Sequence, residues 1–232
     1  MLNAVSLSPE AWQAIVLTIE LAGLTTVLLL LLATPLAWWL AHTASRWRAP
    51  LSALVTLPLV LPPTVLGFYL LTAFGAGTWL GGAFQAVFGK SLAFSFEGLL
   101  LASAIANIPF AVQPIHNAFA AIPPNLREAG ATSGMTPWTV FRRIELPLAW
   151  PGIATAIVLT FAHTLGEFGV VLMVGGAIPG ETRTAAIAIY DRVQAFDDVA
   201  AASMSALLLA ICLVALLLVQ RLTRGIGRRR HG

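Results

Sequence analysis

Five stretches of the chain are apolar for about 20 residues or more, the length a helix needs to cross a hydrocarbon core of roughly 30 Å. They cover residues 12–40, 51–74, 98–122, 151–174 and 200–219. Between the third and fourth lies a polar interval, residues 123–150, whose punctuation predicts two short helices. The first starts at about Asn125 after Pro123-Pro124 and stops with Gly134 just beyond its end. The second has Thr136 as N-cap and Pro137 at its first position, runs from Trp138 to Ile144, and is closed by Pro147. By pattern alone this exposed helix-turn-helix is either a docking surface or an amphipathic loop lying in the membrane interface. A second interval, residues 177–199, is too long for a turn; its mildly apolar stretch Ala185 to Tyr190 leaves a short re-entrant or surface helix and a plain loop both open. No internal repeat or low-complexity tract interrupts this plan, which is an all-α integral membrane protein with one transmembrane domain over residues 1–232.

Composition agrees: 58% of the 232 residues are hydrophobic and 10% charged, against about a quarter charged in soluble domains. The sequence pI of about 9.8 does not point to nucleic acid, because the basic residues are sorted between loops. Arg46, Arg48, Arg127, Arg142, Arg143, Arg221, Arg224, Arg228, Arg229 and Arg230 fall on one side of a five-span topology, ten of the thirteen basic residues. The other side has Lys90, Arg183 and Arg192 with Glu10, Glu97, Glu181, Asp191, Asp197 and Asp198. The positive-inside rule puts the polar interval and the C-terminus in the cytoplasm and the N-terminus outside. Trp12, Trp38, Trp39, Trp79 and Trp150 fall near predicted span ends, where aromatic belts lie. The first apolar segment follows no basic n-region and is too long for a cleaved signal, so it is read as a mature span. The single cysteine, Cys212, excludes an internal disulfide and is assigned to packing.

No basic side chain lies inside a predicted span, whereas Glu20 and Glu167 do, and each should face protein or water. His163 precedes Glu167 by four residues, within reach on one helix face. The pair is either part of a gate or an interhelical clamp, and it offers too few ligands for a metal. Pro58, Pro62 and Pro63 kink or break the second span; a broken helix borders a cavity or is a packed kink, and its end would expose N–H groups that favour anions. Asn107, Pro109, Gln113, Pro114, His116 and Asn117 mark the third span as a bundle-interior helix. Phe88-Gly-Lys-Ser91 resembles the end of a phosphate-binding loop, but that motif needs glycine where Phe84 stands.

Glu128-Ala129-Gly130, three residues, Gly134, nine residues, and Ile144-Glu145-Leu146-Pro147 resemble the cytoplasmic signature of ABC importer permeases, departing from it only at Gly130, where the pattern has alanine. The resemblance implies a five-transmembrane-helix permease core whose coupling helix-turn-helix docks on a separate ATPase. It carries Glu128, Ala129, Gly130, Gly134, Ile144, Leu146 and Pro147 into that role. Leu57-Pro-Leu-Val-Leu-Pro-Pro-Thr-Val-Leu-Gly67, Thr164-Leu-Gly-Glu-Phe-Gly169 and Ile178-Pro-Gly-Glu-Thr-Arg-Thr184 are similar to molybdate (and tungstate) importer permeases, with sulfate and thiosulfate permeases sharing the second of these. What this implies is an import subunit of the bacterial cytoplasmic membrane, working as a homodimer with two ATPase subunits that hold ATP and Mg, and with an extracytoplasmic oxyanion-binding protein. The chain itself would carry no cofactor and no enzymatic activity. Pro62, Pro63, Thr64, Asn107, His163, Thr164 and Glu167 are the candidates for the pathway or gate. Glu181, Arg183, Asp191 and Arg192 are the candidates for docking the binding protein, the other reading being a solvated loop face. Lacking an intramembrane cation, the pathway is expected to hold its cargo weakly. A secondary transporter or channel would show charge relays or inverted repeats, and a membrane enzyme a nucleophile–base pair; neither is evident.

Overall fold

The computed structural model describes residues 8–228, with side chains through residue 218 and at 220 and 221. Of the basic tail, Arg229 and Arg230 and the side chains of Arg224 and Arg228 lie outside the described residues. Every regular element among the described residues is helical. Helix α1 (Pro9–His42) starts where the Ser8 hydroxyl accepts the Ala11 N–H and Pro9 sets the first turn. The second predicted span is two helices, α2 (Arg48–Val60) and α3 (Pro63–Phe74), bent by 111°. Pro62 and Pro63 lack the N–H groups that would continue the ladder, so the chain turns at Leu61. Helix α4 (Trp79–Phe88), which the hydrophobic pattern did not predict, leads through Gly89-Lys90-Ser91 into α5 (Phe96–Ala120).

The polar interval forms α6 (Pro124–Thr132) and α7 (Pro137–Val140), and here one expectation fails: Pro147 does not close the helix. A π turn over Phe141–Glu145 runs straight into α8 (Leu146–Gly166), with the Leu146 N–H bonded back to the Phe141 carbonyl. Proline clashes with the carbonyl four residues earlier, and the wider turn relieves that crowding. The fourth predicted span is also discontinuous. It stops at Gly166, passes through extended backbone at Glu167 (φ −70°, ψ 124°) and resumes as α9 (Gly169–Gly175). The outer interval holds α10 (Ala185–Gln194), an amphipathic surface helix that buries Ala185, Ile187 and Ala188 and receives α1 through Thr18, whose hydroxyl accepts the Ala185 N–H at 2.7 Å. Helix α11 (Asp198–Arg228) closes the chain.

Four of these helices are long and apolar enough to cross a membrane, or five if α2 and α3 count as one span. Helix α5 is the centre: α1, α2, α3, α8 and α9 all pack on it, while α11 packs on α8 and α10 chiefly on α11 and α1. Contact is through small residues. Ala33 and Ala37 of α1, Ala104 and Ala111 of α5, and Ala149 and Ala156 of α8 share one buried cluster with Leu40, Ile115 and Phe119. Alanine lets helix backbones approach where lipid supplies no hydrophobic drive, so close van der Waals packing holds them. Glu20, expected to face protein or water, is exposed on α1 in the single chain.

Candidate functional site

The signature residues form one hairpin at the end of the bundle. Glu128, Ala129 and Gly134 are exposed, and Pro147 with them. Gly134 takes φ +77°, a left-handed conformation natural to glycine, and turns the chain from α6 to α7. The Thr136 hydroxyl caps α7 by accepting the Thr139 N–H at 3.3 Å, and the Thr132 hydroxyl ties back to the Glu128 carbonyl. Gly130 is buried, and a Cβ there would stand 3.0 Å from both Ile144 Cδ1 and Val140 Cγ2. The absent methyl therefore draws α6 tightly onto α7 and the π turn, which gives the departure from the signature a packing reason. Ile144 and Leu146 are half-buried beneath it.

Sequence reasoning missed the residue that ties this hairpin to the spans. Glu145, the variable position of Ile-x-Leu-Pro, is 2% exposed and faces nitrogens of three side chains. Trp38 Nε1 donates to its Oε2 at 2.7 Å, His42 Nε2 lies 2.9 Å from its Oε1, and Arg127 Nε lies 2.6 Å from the same oxygen. Trp38 and His42 end α1, and Arg127 sits in α6, whose Nη2 also reaches the Phe119 carbonyl at the end of α5 at 3.4 Å. Phe141 packs edge-on to Trp38 and stacks on Phe119 around this group. The available signal was composition: an acid flanked by apolar residues after two arginines needs partners once buried.

The predicted gate residues split. His163 and Glu167 do not pair directly, because α8 ends between them and the i, i+4 relation is lost. Asn107 bridges them instead: its Oδ1 is 3.0 Å from His163 Nδ1, and its Nδ2 donates to Glu167 Oε2 at 3.1 Å and to the Ser103 carbonyl at 2.8 Å. His163 stacks on Phe110, ring centroids 4.1 Å apart. His163, Glu167 and Pro63 line a cavity of about 380 Å³ between the two broken spans, walled by Pro58, Leu61 and Gly169. A Cβ on Gly169 would lie 2.8 Å from Pro63 Cβ, so the two helix breaks touch. Pro62 and Thr64 are exposed outside this cavity, and Thr164 is buried with its hydroxyl donating to the Thr160 carbonyl at 2.8 Å. The expected fan of N–H groups at the break is reduced. Neither proline has one, and the Val65 and Leu66 N–H groups both return to the Pro62 carbonyl. A second cavity of about 570 Å³ shares Leu59 and Phe110 with the first and continues toward the hairpin past Gln113, Asn117 and Thr155, all exposed.

Of the outer residues, three are committed within the chain. Arg183 pairs with Asp191 at 2.6 Å and Arg192 with Asp197 at 3.4 Å, while Glu181 is exposed. Tyr190, Val193, Phe196 and Val199 are exposed around them, Phe196 91% so.

The family model for the binding-protein-dependent transport system inner membrane component matches residues 33–228. The molybdenum transport system permease protein ModB of Azotobacter vinelandii is 52% identical over 191 residues, covering 82% of this chain and 84% of that protein. ModB of Escherichia coli K12 is 36% identical over 227 residues, covering 97% and 99%. Among solved structures, a bacterial alginate ABC transporter in complex with an alginate pentasaccharide-bound periplasmic protein shares the fold, with a TM-score of 0.76 at 21% identity, covering 94% of this chain and 80% of that one.

Proposed function

The chain belongs to the family of binding-protein-dependent transport system inner membrane components, and from that premise we infer that it is the multi-pass permease subunit of a molybdate importer. The observation that carries the cargo is the 52% identity to a molybdenum permease across 84% of that relative's length. The chain is not itself an enzyme in this reading. ATP and Mg belong to two separate ATPase subunits at the cytoplasmic face, and the permease works as a homodimer that receives its oxyanion from an extracytoplasmic binding protein. Tungstate, a tetrahedral dianion of closely similar chemistry, would travel the same way. The membrane is the bacterial cytoplasmic membrane, crossed five times with α2 and α3 as one broken span and the N-terminus outside.

The geometry supports a division of labour. Glu128, Ala129, Gly130, Gly134, Ile144, Leu146 and Pro147 build a stiff hairpin for docking on the ATPase, capped at Gly134 and Thr136 so that it moves as a body. ATP-driven closure of the partner would draw two such hairpins together and tilt the spans above. Inside, Asn107, His163 and Glu167 sit where two helix breaks meet, the natural place for a gate, since irregular backbone at membrane depth borders a cavity. Gln113, Asn117 and Thr155 are neutral and exposed on the continuing face, and so suit a pathway that passes an oxyanion without trapping it. Selectivity then rests mainly with the binding protein, for which Glu181, Arg183, Asp191 and Arg192, with Arg183 paired to Asp191 and Arg192 to Asp197 and flanked by the exposed apolar side chains, form the landing rim.

The test is reconstitution with the ATPase and binding protein in vesicles. ATP-dependent uptake of molybdate, competed by tungstate and indifferent to excess sulfate, is expected. Uptake that follows sulfate instead would overturn the cargo, and uptake without ATP would overturn the class.

A further inference from the structure

Glu145 carries more than its place in the hairpin requires. Helix α6 packs mainly on α7 and the π turn; beyond the short backbone link to α5 at residues 121–123, it is tied to the bundle by side-chain chemistry, Arg127 to Glu145 and to the Phe119 carbonyl. From the same carboxylate, Trp38 and His42 reach the last turn of α1. His42 is itself anchored, its Nδ1 2.6 Å from the Trp38 carbonyl. One carboxyl group thus joins the hairpin, the first span and the start of the fourth.

We propose that Glu145 is a positioning residue for coupling, a rigid joint through which movement of the α6–α7 hairpin is passed to α1 and α5. This rests on the permease reading above and names the device by which that hairpin acts.

Three observations converge on it. A buried ion pair is an expensive way to hold a fold together. Removing its charges from water is costly, and apolar residues of similar volume often hold as well. What such a cluster supplies that an apolar patch does not is direction, since the Trp38 and His42 ring nitrogens at 2.7 and 2.9 Å and the Arg127 ion pair at 2.6 Å hold the carboxylate from three sides. Second, the carboxylate is the last residue of the π turn, a helix defect that recurs where a side chain must be aimed. Third, its surroundings leave little room to slide. Phe119 is fully buried, and Trp38, Phe141 and Phe119 pack ring against ring around it.

The experiment uses the complete complex of permease and ATPase in lipid nanodiscs and vesicles, in a Cys212→Ser background with spin labels at the exposed Ala44 and Ser133, which lie just past the C-terminal ends of α1 and α6 and flank the joint. The distance between labels is measured with and without ATP–Mg, and uptake and ATPase rates are read in parallel. The joint predicts an unchanged distance in the otherwise wild-type complex. In the double variant Arg127→Gln/Glu145→Gln, which leaves no unpaired charge buried, it predicts a distance that varies with nucleotide. The same variant should assemble, keep its ATPase rate and lose uptake on the order of tenfold, the range of coupling changes made by residues between two sites. Glu145→Gln alone strands Arg127 and should lower assembly as well as uptake. A double variant that recovers uptake together with assembly would show the cluster to be structural only. A wild-type distance that shifts with nucleotide would equally overturn the joint. The distance is read without any oxyanion, so an error in the cargo does not touch it, and its failure leaves the transport reading intact.

Discussion

The contact between the two helix breaks can be tested with one methyl group. In Gly169→Ala the new Cβ would lie 2.8 Å from Pro63 Cβ, whereas carbon atoms in contact rest about 3.5–4.0 Å apart, so the start of α9 must retreat from α3 by roughly 1 Å. The proline ring cannot turn aside, because it is locked to its own backbone. Overpacking of this kind costs typically about 1–3 kcal/mol, and loss of glycine's freedom in the unfolded chain returns about 0.4–1 kcal/mol. The net is a destabilisation of about 1–2 kcal/mol, or a fall in Tm of roughly 2–8 °C for a chain of this size. Because Pro63 and Gly169 are both walls of the cavity that holds Glu167, uptake should fall by more than the loss of folded protein explains. Gly166 is the control. It lines the same cavity, yet a Cβ there meets nothing within 4 Å. Gly166→Ala should leave stability unchanged or raise it by up to about 1 kcal/mol. The assay is thermal unfolding of the purified complex alongside ATP-dependent uptake per assembled complex. A Gly169→Ala complex as stable and active as wild type, or a Gly166→Ala complex equally damaged, would refute the argument.

Other substitutions probe the remaining parts. Gly134→Val forces a β-branched side chain to φ +77° and Glu128→Trp covers an exposed docking position; both should abolish uptake while the protein stays in the membrane, and unchanged uptake in both sinks the docking role. Gly130→Ala restores the signature residue. Its Cβ would press at 3.0 Å on two side-chain ends that can give, so a strain of up to about 1 kcal/mol is offset by a helix-propensity gain of about the same size, and uptake should stay near wild type. Glu167→Gln retains an oxygen to accept the Asn107 amide; assembly should survive with uptake changed several-fold, measured by gel filtration and vesicle uptake. Loss of the assembled complex instead would make the cluster a clamp.

The hydrophobic pattern located the spans because length and apolarity are nearly sufficient in lipid. It could not see where they break without proline. The Pro62-Pro63 break announces itself by chemistry, but the one at Glu167 depends on Gly166 and Gly169 flanking a single extended residue, and a 24-residue window averages that away. For the same reason His163 and Glu167 were read as one helix face, when Asn107 of another helix is what joins them. Pro147 misled in the opposite direction: the rule that proline ends a helix holds for an α ladder, and the π turn before it is a different ladder. The signature residues were legible as a motif, and the Gly134 and Thr136 caps landed where predicted, whereas Asn125, expected to cap the first short helix, lies inside α6, which starts at Pro124. Glu145 was not, because a variable position carries no spacing signal and its three partners come from residues 38, 42 and 127. The outer charges were legible as charges but not as pairs.

The π turn also sets a phase. An α-helix advances about 100° per residue, so a turn with one residue more than an α turn rotates everything beyond it relative to what comes before. The α7 face that meets α6 and the α8 face that carries Thr155 and Leu159 into the long cavity belong to one continuous rod, keyed to each other by that one surplus residue. Insertion or deletion within Phe141–Glu145 would therefore act as a mistimed gear tooth: both ends would remain well formed, and they would face the wrong way.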